Sequence, residues 1–169
     1  PDEEYKDFEL ELNLQLAISS KQAEKILEGK KAKIRADLFA CEQGVKVGQA
    51  VQSFQIEIEE ALVEPFSVIT KVKEPKTWSA EHPNLYLLEL RVYDASKRIA
   101  EIITQRFGFR AFELKDGLMK INGKRIVFNG VNRHEFSCDR GRAVTEDEMV
   151  TDIWNMKRNN INAIRTSHY

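Results

Sequence analysis

Two short stretches of this 169-residue sequence gather side chains suited to binding hydroxyls and carboxylates: Asn132, Arg133, His134 and Glu135 in one, Arg165, Ser167 and His168 in the other. A histidine donates or accepts hydrogen bonds to a hydroxyl, and an arginine clamps a carboxylate through two parallel N–H bonds. His134, Arg165 and His168 therefore have the chemistry to hold a pyranose beside a catalytic acid, although they cannot cleave a glycosidic bond by themselves. The plainer alternative makes Arg133 and Glu135 a charged pair at a loop entrance and each histidine an ordinary loop residue. Position favours the functional reading, because each set directly follows an apolar run, one through Ile126, Val127 and Phe128 to Val131 and one from Ile161 to Ile164. If those runs are neighbouring parallel strands, both sets lie at the carboxyl ends, the rim where barrel enzymes build their active sites.

The elements that must position these residues read differently along the chain. From Phe8 to Ile18 apolar residues take every second place, and Asp7, Glu9, Glu11, Asn13 and Gln15 take the other parity, as in a strand with one wet face. The same alternation recurs at Ala32, Ile34, Ala36 and Leu38 against Lys33, Arg35 and Asp37, then at Phe54–Ile58, Phe66–Val72 and Tyr86–Val92. Arg98 to Phe109 predicts a sixth strand whose parity is ambiguous, since Ile102 and Ile103 are adjacent, and Val45 with Val47 predicts a short seventh. Short connections between alternating strands imply antiparallel pairing, and about seven strands in about 110 residues fit an immunoglobulin-like sandwich. Ser19 to Lys30 shows no such alternation and fits a short helical turn or a surface loop.

After Arg110 the pattern changes. Asn122 and Gly123 suit a tight hairpin between Leu118–Ile121 and a second, more buried arm through Arg125–Phe128. Thr145 and Glu148 form a capping-box signature, Glu146 and Asp147 favour the start of the helix dipole, and Lys157 and Arg158 favour its end. Met149, Val150, Ile153 and Met156 recur at helical spacing and predict one apolar side. Strand, helix, strand is a βαβ unit, so the expected fold class is mainly β. An antiparallel sandwich over residues 1–110 is followed by a truncated α/β segment over residues 111–169, far short of the roughly 250 residues of a complete (β/α)8 barrel. Such a segment exposes apolar surface and calls for cover, either from the sandwich or from a second copy.

Composition narrows the partners. Charged residues make up 31% and balance to a net charge of -1, which argues against nucleic acid. No apolar run approaches a membrane span, no leader-like stretch is recognisable, and Cys41 and Cys138 stand far apart, so the expectation is a cytoplasmic protein with two free thiols.

The residues around these sites carry a family signature. Asn129–His134 (N-G-V-N-R-H) with Glu135, Gly141–Met149 (G-R-A-V-T-E-D-E-M) and Asn162–Tyr169 (N-A-I-R-T-S-H-Y) closely resemble family 2 glycoside hydrolases, in particular the β-galactosidases. Trp78–Tyr86 (W-S-A-E-H-P-N-L-Y) and Gly108-Phe109-Arg110 resemble the sandwich that precedes the barrel in that family. The resemblance implies a retaining hydrolase acting on terminal β-D-galactosides such as lactose through two glutamates about 5 Å apart, an acid/base and a nucleophile. Both are expected downstream of Tyr169, so the chain by itself carries no catalytic residue and is expected to be inactive. Position by position, His134 and His168 match histidines that contact the galactosyl group, and Arg165 matches the arginine that supports the nucleophile.

The resemblance also implies magnesium and monovalent-cation sites in the full-length parent, built from segments outside this chain, so no metal is expected here. Expected partners are the β-galactoside substrate, the remaining domains of the parent, and either identical copies or a second subunit. Among alternatives, β-glucuronidases share the R-T-S-H-Y segment but usually carry lysine where Arg133 stands. A non-catalytic sugar- or protein-binding sandwich is disfavoured, because neither Trp78, beside Pro83 and Tyr86, nor Trp154, in the helix, makes an obvious stacking platform.

Overall fold

The computed structural model describes residues 1–15, 32–58, 65–94 and 96–166. Leu16, Ile18, the stretch from Ser19 to Lys30, Ser167 and His168 lie outside them, together with the expectations placed on them. The chain separates into two compact units, Pro1–Phe112 with Ile121–Gly123, and Glu113–Lys120 with Lys124–Tyr169.

The first unit is an antiparallel sandwich. Its larger sheet has the order β3-β2-β5-β6, with β2 at Ala32–Glu42, β3 at Val45–Ile58, β5 at Leu85–Tyr93 and β6 at Ile99–Phe107. The smaller sheet pairs β1, Phe8–Leu14, with β4, Phe66–Val72. The alternating apolar residues do what their parity requires: Phe8, Leu12 and Val72 from the small sheet meet Ile34, Ala36, Leu38, Ile56, Leu88, Leu90 and Val92 from the large one in a single buried core. Each of the larger of these side chains stabilises the fold by about 1.5–3 kcal/mol through removal from water. An edge-to-face cluster closes one end, where Phe109 lies 5.6 Å from Phe8, 5.0 Å from Tyr86 and 5.2 Å from Phe107 between ring centres.

Two expectations for this unit need correction. Val45 and Val47 do not form a separate strand but begin the 14-residue β3, which stays paired to β2 across an irregularity between Leu38 and Ala40. Leu38 pairs with Gln52 and Ala40 with Val47, so β3 carries three extra residues there, which bend it without ending the ladder, and the unit has six strands among the described residues rather than seven. Asp37, placed by its parity on a wet face, is 1% exposed. Arg35 Nε donates to it at 2.8 Å, Arg91 Nη1 at 3.0 Å and Ser53 Oγ at 2.6 Å. Burial alone would push its carboxyl up, yet the hydrogen bonds from Arg35 and Ser53, with the charges of Arg35 and Arg91, hold it below the ordinary value. The ambiguous sixth strand has a physical explanation too: β6 is an edge strand exposed along nearly its whole length, so no face imposes a parity.

The Trp78 and Gly108 motifs are explained by packing. Trp78 N donates to the Phe109 carbonyl at 2.8 Å, Arg110 stacks 5.0 Å over the indole, and a Cβ at Gly108 would come within 2.8 Å of Trp78 Cβ. Only glycine fits there.

A three-stranded sheet follows, ordered β7-β8-β9 with β7 at Phe112–Lys115, β8 at Leu118–Ile121 and β9 at Lys124–Arg125. Asn122 and Gly123 adopt φ of 50° and 73°, as a type I′ turn requires. The second arm differs from expectation: β9 stops at Arg125, and Val127 and Phe128 are 65% and 47% exposed outside any strand. The buried-type apolar run is therefore a connection, and the next strand, β10, starts only at Gly130.

Helix α1 spans Glu146–Arg158 with the full reciprocal cap between Thr145 and Glu148. Its half-buried positions are Glu148, Met149, Asp152 and Met156, whereas Val150 and Ile153 are exposed, so the expected apolar side is only partly covered. Both cysteines are free, Cys41 buried and Cys138 exposed. Among the described residues no helix is long and apolar enough to cross a membrane.

Candidate functional site

The site begins with two four-residue strands, β10 at Gly130–Arg133 and β11 at Ala163–Thr166, paired in parallel. Their register is fixed at the amino ends by a reciprocal asparagine lock. Asn129 N donates to Asn162 Oδ1 at 2.9 Å and Asn162 N to the Asn129 carbonyl at 3.1 Å. Asn129 Nδ2 also reaches the Asn160 carbonyl at 2.7 Å, and Asn162 Nδ2 the Val127 carbonyl at 2.9 Å. Four such bonds let a pair of very short strands hold one alignment.

That alignment sets Asn132 opposite Arg165 and Arg133 opposite Thr166, so the carboxyl ends of both strands form one edge. Side chains alternate along a strand, and the contacts show which side is which. Arg133 Nε donates to Asp152 of α1 at 2.9 Å; Nη2 lies 2.8 Å from the same oxygen at an angle that makes no hydrogen bond, and Nη1 lies 3.9 Å from Glu135. Arg133 thus faces the helix. Arg165 shares the parity of Asn132 and lies on the other side, exposed and with no hydrogen-bond or ion-pair partner among the described residues. Of two neighbouring arginines, Arg133 is neutralised by Asp152, and Arg165 has no such partner among the described residues.

The turn that follows β10 is built against the helix start. Ser137 is buried, exchanges backbone hydrogen bonds with Gly141 at 2.6 and 2.9 Å, and donates its hydroxyl to Glu148 at 2.9 Å. Glu148 also accepts from the Thr145 backbone at 2.8 Å and pairs with Arg140 at 2.9 Å. The Thr145 amide first, and then the Ser137 hydroxyl, lower the Glu148 carboxyl to about 2. The pin is therefore ionised far into the acid range, and the segment bearing His134 is tied at both ends.

His134 stands exposed one residue past the end of β10. His168 lies outside the described residues. Three features that position these groups escaped the sequence reading: the Asn129–Asn162 lock, Asp152 as the partner of Arg133, and Ser137 as the anchor on Glu148. The strand expected at Ile161–Ile164 runs two residues later, because Ile161 N still donates to the Met156 carbonyl at 3.0 Å in the helix exit. Among the described residues no group of three or more His, Cys, Asp and Glu gathers.

Known proteins share this arrangement. Residues 3–110 match the family described as glycosyl hydrolases family 2, and residues 112–169 match glycosyl hydrolases family 2, TIM barrel domain. A β-galactosidase of Halalkalibacterium halodurans is 52% identical over 103 residues, which cover 61% of this chain and 10% of that protein. The β-galactosidase large subunit of Latilactobacillus sakei is 53% identical over 94 residues, covering 56% of this chain and 15% of that subunit. The crystal structure of Parabacteroides merdae β-glucuronidase superposes with a TM-score of 0.76 at 29% identity, over 97% of this chain and 19% of the glucuronidase. The chain thus spans about a tenth of the curated β-galactosidase it matches. From the sandwich through the first parallel strands of the barrel, it belongs to glycosyl hydrolases family 2.

Proposed function

We propose that this chain is part of a retaining β-galactosidase that hydrolyses terminal non-reducing β-D-galactosides such as lactose. The observation that carries the reading is Arg165, beside Asn132 at the carboxyl ends of β10 and β11, exposed and without a hydrogen-bond or ion-pair partner among the described residues. A free guanidinium at that rim suits a carboxylate brought there by a neighbouring strand. In this reading His134 and His168 hold galactosyl hydroxyls, while Arg165 orients the nucleophile and keeps it ionised. One glutamate protonates the leaving oxygen, the other bonds to the anomeric carbon, and water then releases the sugar. Both glutamates belong to later strands of the parent, so the 169-residue chain alone is a scaffold and part of the substrate wall. The sandwich packs against the rest of the parent, which forms either a homo-oligomer or a two-subunit enzyme. Two free thiols support a reducing, cytoplasmic setting.

A β-glucuronidase is the second reading, favoured by the Parabacteroides superposition. The higher identity to β-galactosidases over more than half of the chain weighs against it. Paired nitrophenyl substrates separate the two. The full-length protein is expected to cleave the β-galactoside with kcat/KM at least about 100-fold above the β-glucuronide, since a site built for a hydroxymethyl group leaves a uronate charge unpaired. The reverse preference would replace the proposal with the glucuronidase.

A further inference from the structure

We propose that Ser137 is a positioning residue for His134, holding the histidine in place without meeting the substrate itself, a reading that rests on the glycosidase function above. The segment from Arg133 to Ser137 is fastened to one helix at both ends. At its start Arg133 Nε donates to Asp152 at 2.9 Å, and at its end Ser137 Oγ donates to Glu148 at 2.9 Å. Asp152 and Glu148 lie four positions apart on α1, one turn of helix, and so share a side of it. His134 stands next to the first tie, inside the clamped span.

The tie at Ser137 is separate from the helix cap. Glu148 Oε2 accepts from the Thr145 amide at 2.8 Å and hydroxyl at 3.0 Å and pairs with Arg140 at 2.9 Å, whereas Oε1 takes the Ser137 hydroxyl. The cap is therefore complete without Ser137, and the Ser137 bond serves the segment rather than the helix start. It is also rigid. Ser137 is buried and closed on Gly141 by two backbone bonds, and Asp139 N donates to the same hydroxyl at 3.4 Å, so one oxygen joins helix and turn. A hydroxyl on an ionised carboxylate makes a charge-assisted bond, stronger than a neutral one. A histidine that recognises a sugar hydroxyl needs this precision, since a displacement of about 1 Å costs up to about 100-fold in rate.

A double-mutant cycle in the full-length enzyme, with kcat/KM read on nitrophenyl β-galactoside, tests this through His134→Ala, Ser137→Ala and the two combined. Ser137→Ala is expected to lower kcat/KM about tenfold in the original enzyme and less than about twofold once His134 is already alanine, because a positioning residue then has nothing left to position. A merely structural serine costs the same in both backgrounds, and that result overturns the proposal. So does full activity of either single variant. An original enzyme that ignores the β-galactoside but cleaves the β-glucuronide sinks the galactosidase reading alone, and the same cycle on the glucuronide then decides Ser137. Activity on neither sugar overturns both.

Discussion

Replacing Arg165 with alanine in the full-length enzyme is expected to lower kcat/KM by about 10²–10³-fold while leaving the melting temperature nearly unchanged. In the proposed reading Arg165 is a fixed charge beside the nucleophile, and its loss has the size seen when one preorganised electrostatic contact is deleted. Stability is spared because Arg165 is exposed and makes no hydrogen bond or ion pair among the described residues. Arg165→Lys is expected to recover only a small part, since an ammonium cannot reproduce a planar two-pronged clamp. Arg133→Ala is the informative contrast. Its guanidinium is held by Asp152, so that substitution acts first on the fold of the β10 turn. A loss below tenfold for Arg165→Ala, or one that comes with a large drop in melting temperature, would contradict the role assigned to it.

The second large effect lies in the sandwich. Leu38 is fully buried in β2, in register with Gln52 on β3 and Leu88 on β5, and belongs to the core shared by both sheets. Leu38→Ala removes its apolar surface and leaves a space that flanking strands cannot close, a change that costs about 2–5 kcal/mol. For a unit of this size the midpoint of thermal unfolding should fall by about 10 °C or more, read by circular dichroism or calorimetry. Ile102→Ala on the exposed edge strand β6 serves as the control and is expected to stay within about 0.5 kcal/mol of the original. Comparable losses at both positions would mean that the core is not where the alternation puts it.

How much of this was legible in the sequence depended on whether the controlling interaction was local. Period-two alternation located β1, β4 and β5, and the β4 bounds, Phe66–Val72, agree with the expectation, because one buried face repeats at a fixed interval. The capping box of α1 and the Asn122-Gly123 turn were equally readable, each being set by residues within four positions of one another. What failed was non-local. Asp37 has the parity of a wet residue, and its burial depends not only on Arg35 in the same strand but on Arg91, 54 positions away, and Ser53 on the neighbouring strand. Ile126 to Phe128 resembles a strand in composition, but the pairing partner that defines a strand begins at Gly130, where the asparagine lock sets the register.

The candidate site divides in the same way. Residue chemistry and position after apolar runs singled out His134 and Arg165, and the parallel pairing of β10 and β11 brings their strand ends to one edge. Which of the two arginines is available could not be read from spacing, because Arg133 and Arg165 both follow or end such a run. Asp152, 19 residues downstream of Arg133, decides it. His168 was singled out on the same grounds and belongs to the segment outside the described residues.

The crystal structure of the full-length enzyme with bound galactose tests the central claim most directly. The sugar is expected on the side of β10 and β11 away from the helix, with a His134 ring nitrogen about 3 Å from a galactosyl hydroxyl and Arg165 against a carboxylate, while Arg133 stays on Asp152. Galactose bound elsewhere, with Arg165 engaged by the scaffold as Arg133 is, would contradict it.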